Sequence, residues 1–198
     1  MIIKLSPIRS DAQISVFRLG DMLTISGLAF DFSSLPEGAT LPAGSVQSPW
    51  LLGPVERVAG RITASLRLPH AADAGDDARF PVDIVDPAEG PVQLPGLPIL
   101  PAEPSTVGMI DWSQLITAED KAAAAAATLL AQAQAEITRR RAQADQAIAP
   151  LQDAVDLDEA SQAEADLLKA WKRYRVALNR VPEQPGYPAS IDWPAPPA

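Results

Sequence analysis

The sequence has no cysteine and a single histidine, His70. Disulfides, thiolate metal sites and cysteine nucleophiles are therefore excluded, and imidazole chemistry rests on one side chain. His70 precedes an acidic turn with Asp73, Asp76 and Asp77. A calcium loop needs about six to eight oxygens at defined spacing, and that pattern does not occur, so the turn reads as solvated. A Gly-x-Ser-x-Gly nucleophile elbow and a Gly-rich phosphate loop are also missing. No pair of acids stands out as a sugar-hydrolysing couple. The expectation is a chain with no catalytic centre, no cofactor and no metal.

Long apolar runs are lacking too. The alanine-rich stretch 122–127 is bracketed by charge, and the N-terminus carries no basic region followed by an apolar core. Neither a membrane span nor a leader is expected, which gives a soluble, intracellular reading. Aromatics make up 5% of the chain, with tryptophan at Trp50, Trp112, Trp171 and Trp193. That scarcity argues against an aromatic-lined glycan groove. Positive charge is scarce as well. The net charge of −9 divides as −5 over residues 1–110 (7 basic, 12 acidic) and −4 over residues 111–198 (9 basic, 13 acidic). Neither half is expected to bind nucleic acid. The local exception is Lys169, Lys172, Arg173, Arg175 and Arg180, cations that suit a solvated face near a helix C-terminus.

What is present is helical periodicity over 117–181. Leu129, Leu130, Ala133, Ile137, Ile148, Leu151, Val155, Leu168, Trp171, Tyr174 and Leu178 recur mostly at three- and four-residue steps, one face of an amphipathic helix. Thr117 with Asp120 offers an N-terminal cap. Pro150 either ends the first helix near Ile148 or kinks it before it runs on to Val155. Asp158 or Ser161 then caps a second helix. Two helices with a short link predict an antiparallel hairpin. Its small side chains bury little area, so it needs apolar partners from the other domain, a second copy forming a homo-oligomer, or a different protein.

Upstream, alternation predicts strands. Ile2 to Leu5 forms one that Pro7 stops, residues 14–26 make a hairpin about Gly20-Asp21, and residues 28–32 continue it. A second hairpin turns at Ala59-Gly60, with Ile62, Ala64, Leu66 and Leu68 on one face. Residues 80–85 read as a further strand. The fold class is α+β: a small antiparallel β-rich domain (1–86), a Pro-rich linker (87–116), a helical hairpin (117–181) and an extended Pro-rich tail (182–198). The linker contains Pro-x-x-Pro spacing at Pro95, Pro98 and Pro101, which serves a stiff spacer or a ligand of aromatic grooves.

Trp171, Tyr174, Arg175 and Leu178 lead into Pro182, Pro185-Gly186-Tyr187-Pro188 and Trp193-Pro194. This order and spacing resembles the C-terminal signature of tail fibre assembly proteins and tail assembly chaperones of tailed bacteriophages. The resemblance implies a helper that binds the tail fibre at its distal region and assists its folding and trimerisation without covalent chemistry, acting in the host cytoplasm. A permanent component of the tail, baseplate or fibre tip is the alternative. Trp171, Tyr174, Arg175, Leu178, Tyr187 and Trp193 are the candidate partner-binding residues. The helical residues among them equally suit hairpin or interdomain core. Arg175 is expected to pair with Asp156 or Asp158 across the link.

Overall fold

The structure, a computed structural model, describes residues 1–101 and 104–197. It divides into two compact units, Met1–Lys121 and Ala122–Ala198.

The first unit carries two five-stranded sheets. One is built from β1 (Ile2–Arg9), β5 (Thr40–Leu41), β6 (Leu51–Val58), β7 (Arg61–His70) and β8 (Ile84–Val85), in the order β5-β6-β7-β1-β8. The other is built from β2 (Val16–Leu19), β3 (Met22–Ile25), β4 (Leu28–Asp31), β9 (Gly90–Pro91) and β10 (Thr106–Val107), in the order β10-β4-β3-β2-β9. Alternation fixes which face is buried. Ile62, Ala64, Leu66 and Leu68 of β7 are fully or almost fully buried, and they join Leu23, Ile25 and Phe30 from the second sheet in one core. The turn between β6 and β7 holds Ala59 and Gly60 at φ of 50° and 73°, and the Glu37 carboxylate accepts both of their amides. Arg57 ties neighbouring loops to this sheet. Its guanidinium donates to the carboxylate of Asp21 at 2.8 Å and to the carbonyl of Phe32 at 3.0 Å.

Three expectations for this region are corrected. The sheets are not wholly antiparallel, because β1 runs parallel to β7 and β10 runs parallel to β4. Pro7 does not stop the first strand, which continues to Arg9 with Pro7 opposite Leu68. The backbone bonds explain this. Ser10 donates to His70 on the β7 side, while Met1 accepts from Asp86 on the β8 side. Even-numbered residues of β1 therefore face β7, and Pro7 turns its missing amide toward the open edge, where no ladder bond is lost. Residues 80–85 are not one strand either. A single-turn helix, α1 (Asp76–Arg79), precedes them, only Ile84–Val85 pairs, and Phe80 and Val82 are 74% and 80% exposed. Side chains with no face to cover gain nothing from an extended ladder.

The Pro-rich stretch 87–116 touches the sheets repeatedly among the described residues. β9 lies on β2, β10 on β4, and bridges join Ile110 to Val46 and Ile116 to Thr40.

Helix α2 (Ala118–Asp156) starts at the end of the first unit. Thr117 and Asp120 cap it reciprocally, with hydroxyl-to-carboxylate and amide-to-hydroxyl bonds of 2.7 and 3.1 Å. Pro150 lies within the helix, which runs on to Asp156. Helix α3 (Gln162–Arg180) opens with a capping box between Ser161 and Glu164, which satisfies two otherwise orphaned amides. The second unit packs the two helices together. Lys172 meets Gln152, and Arg175 meets Asp145 at 2.7 Å. Partner numbers that rise on one helix as they fall on the other define antiparallel packing. Its core holds Ala144, Tyr174 and Leu178, with Trp171 and Trp193 against them. By contrast, residues 121–132 of α2 are exposed throughout. Alanine keeps such a stretch helical without packing, since it loses no side-chain entropy on folding.

Candidate functional site

The six residues singled out by sequence all lie on α3 or the tail. Trp171, Tyr174 and Leu178 fall on one side of α3 through their three- and four-residue spacing. Leu178 is fully buried and Tyr174 is 4% exposed, while Trp171 meets Tyr174 edge-to-face at 5.7 Å. Arg175 pairs with Asp145 of α2, which corrects the expected pairing with Asp156 or Asp158. The link is centred near residue 159, between the end of α2 at Asp156 and the start of α3 at Gln162. Reflection about that centre puts residue 175 opposite the mid-140s, well away from the link itself.

Trp193 returns to the helices from the tail. The Arg140 guanidinium lies 4.5 Å from the centre of its ring, and Glu136 holds Arg140 at 2.6 Å. Arg139 and Arg140 together depress the Glu136 carboxyl to a pKa of about 2, through their hydrogen bonds first and their charge second. The tail is closed by Gln184, whose side chain donates to the carbonyl of Asp192 and accepts its amide, both at 2.8 Å. Within that loop Gly186 is required sterically, because a Cβ there would lie 2.4 Å from the carbonyl oxygen of Ser190. Tyr187 is half-buried and lines an open recess of about 310 Å³ with Leu130, Ile137, Arg141 and Pro182. Trp171, Tyr174, Leu178 and Trp193 are thus brought together, and Tyr187 stands apart from them.

Sequence reasoning missed Glu136 and Arg140 as the support for Trp193. The clustering of Glu136, Arg139 and Arg140 within one helical turn was the available signal. It also missed an open recess of about 520 Å³ on α3, lined by Lys172, Arg173, Val176, Ala177 and Arg180. Among the described residues Arg173 and Arg180 have no acidic partner.

His70 ends β7, and its ring nitrogen Nδ1 lies 2.9 Å from the carbonyl of Ala71. No three His, Asp or Glu side chains gather into a metal-holding group among the described residues. None of the described helices is long and apolar enough to cross a membrane.

Residues 97–198 match the family model described as Caudovirales tail fibre assembly protein, lambda gpK. The chain belongs to the tail fibre assembly protein family. Curated relatives agree with the assignment over a shorter stretch. Protein TfaD of Escherichia coli (strain K12) is 54% identical over 54 residues, covering 27% of this chain and 28% of its own. The tail fiber assembly protein of Escherichia phage lambda is 54% identical over 54 residues, covering 27% of each chain. A probable tail fiber assembly protein of Shigella phage SfV is 48% identical over 56 residues, covering 28% of this chain and 30% of its own. The chain thus spans little more than a quarter of the length of the first two. No solved structure matches it. The family match takes in the whole helical unit and begins inside the sheet unit, upstream of β10.

Proposed function

We propose that this chain is an assembly chaperone for a phage tail fibre. It binds the distal region of the fibre without covalent chemistry and assists folding and trimerisation in the host cytoplasm. Family membership over residues 97–198 is the observation that carries the reading. The physical rationale is that intertwined β-structures depend on non-local pairing, so they fold slowly and expose unpaired edges while doing so. A helper that covers those edges raises the yield of correctly paired fibre.

Within this reading the chain works in segments: a β-rich body (1–86), a Pro-rich connection (87–116), the helical pair (117–181) and the Pro-rich tail (182–198). Tyr174, Leu178, Trp171 and Trp193 serve the partner indirectly, by fixing the helical pair and the path of the tail. Arg175 acts in the same way through Asp145. Tyr187 contacts the fibre directly, which its position beside an open recess supports.

Co-expression with the tail fibre of the same phage, followed by size-exclusion chromatography with light scattering, tests the proposal. A fibre that becomes soluble and trimeric only with this chain present is the expected result. Equal yields of trimeric fibre with and without it, and no co-eluting complex, would overturn the assignment.

A further inference from the structure

Sheet edges offer unpaired backbone groups, and this protein bars nearly all of them. The open edge of β1 lacks an amide at Pro7. β9 ends the second sheet with Pro91, which has no donor, and β8 is only two residues long and bracketed by Asp83 and Asp86. β5 is closed on its second side by reciprocal bonds between Thr40 and Ile116, both 2.9 Å. Proline, charge and short length are the ordinary guards against strand addition.

β10 is as short as β8, but from Ser105 to Ile110 its outer side carries neither proline nor charge. Thr106 donates to Gly27 at 2.8 Å and Gly108 to Ala29 at 2.7 Å, so residues 106 and 108 face β4. Residues 107 and 109 face outward. Further along, Gln47 donates to Met109 and Asp111 donates to Ser45, so the outer side is paired only beyond this point. The amide and carbonyl of Val107 and the amide of Met109 have no partner among the described residues. Residues 104–110 carry no charge. Val107 is 92% exposed and Met109 is 62% exposed, beside a recess of about 360 Å³ that they share with Asp31, Ile110 and Trp112.

We propose that the outer edge of β10 receives an extended, apolar strand of the tail fibre by β-addition, an inference that rests on the fibre-assembly reading. Alternating unmet donors and acceptors are matched by another extended backbone, and a helix, whose own backbone groups are already used, cannot supply them. Val107, Met109 and Trp112 select apolar side chains on the incoming strand, one of which enters the recess.

The full chain is co-expressed with the tail fibre of its phage as wild type, Val107→Pro, Val107→Lys and Val82→Lys, and the complexes are isolated. Val107→Pro removes the outward amide, and Val107→Lys installs a guard while keeping it, so the second variant decides the matter if the first misfolds. Val82 is also exposed but lies off this edge, which makes Val82→Lys the control. The expected result is that the amides of Val107 and Met109 exchange at least about tenfold more slowly in the wild-type complex. Both Val107 variants should yield about a tenth of the wild-type complex or less, a tenfold change being about 1.4 kcal/mol, while Val82→Lys yields as much as wild type. Unchanged exchange at 107 and 109 on binding, or wild-type yield from folded Val107→Lys, would overturn the inference and leave the chaperone reading standing. Wild-type protein that captures no fibre would remove that reading itself.

Discussion

Arg140 places its guanidinium carbon 4.5 Å from the centre of the Trp193 ring while its Nε donates to Glu136. Acid, cation and aromatic thus form one chain from the face of α2 to the returning tail. Cation–π contacts of this kind contribute about 0.5–2 kcal/mol. Urea unfolding of Arg140→Ala, Trp193→Ala and the double variant should give a coupling energy in that range. A coupling near zero would mean that the tail docks without Arg140.

Protonation of Glu136 should weaken the same chain. Its folded-state pKa is about 2 against an ordinary 4.5. The stabilisation it contributes is therefore complete above about pH 4.5 and disappears as pH falls toward 2. Thermal melts of wild type and Glu136→Gln should differ at neutral pH and converge across that window. Curves that stay parallel down to pH 2 would exclude the linkage.

Leu178 has no exposed surface. Truncation to alanine should cost about 2–5 kcal/mol in the helical unit, the range for a buried leucine, read by urea denaturation followed by circular dichroism. A loss below about 1 kcal/mol would mean that the site collapses around the smaller side chain.

Pro150 is exposed inside α2 and withholds one backbone donor from the helix. Pro150→Ala restores that donor and should raise stability by about 1–3 kcal/mol. A fall in melting temperature would instead show that the helical pair requires the local geometry proline imposes.

Ala59 holds a left-handed backbone, φ 50°, in the turn before β7. Asparagine tolerates that region better, and Asn-Gly is the favoured pair for this type of hairpin. Ala59→Asn should raise the stability of the sheet unit by about 0.5–1 kcal/mol in thermal melts, and no gain would argue that the turn carries no strain.

Elements governed by neighbouring residues were legible in the sequence. The buried alternation of Ile62, Ala64, Leu66 and Leu68, the Ala59-Gly60 turn and the Thr117–Asp120 cap all depend on contacts within a few positions, which composition and spacing report directly. Strand direction was not legible. The partner of Ile2 is Thr63, and period-two alternation carries no information about which distant strand lies alongside or which way it runs. Phe80, Val82 and Val85 suit a strand locally, yet no apolar face is left for them to cover.

The site divided along the same line. Spacing was enough to place Trp171, Tyr174 and Leu178 on one side of a helix. The docking of Trp193 depends on the path of the tail, set by the Gln184–Asp192 bonds across eight residues and the close approach of Gly186 to Ser190. Arg175 meets Asp145 because antiparallel register, and not nearness to the link, sets which acid lies opposite it.

Pro7 sits at the middle of the outer rim of β1, where a second copy of the chain would otherwise find its next hydrogen-bond donor. Two molecules approaching along that rim meet a gap in the ladder and cannot zip together past it. Concentrated protein should therefore resist stacking through the first sheet, a protection provided by the one residue type that ordinarily interrupts a strand.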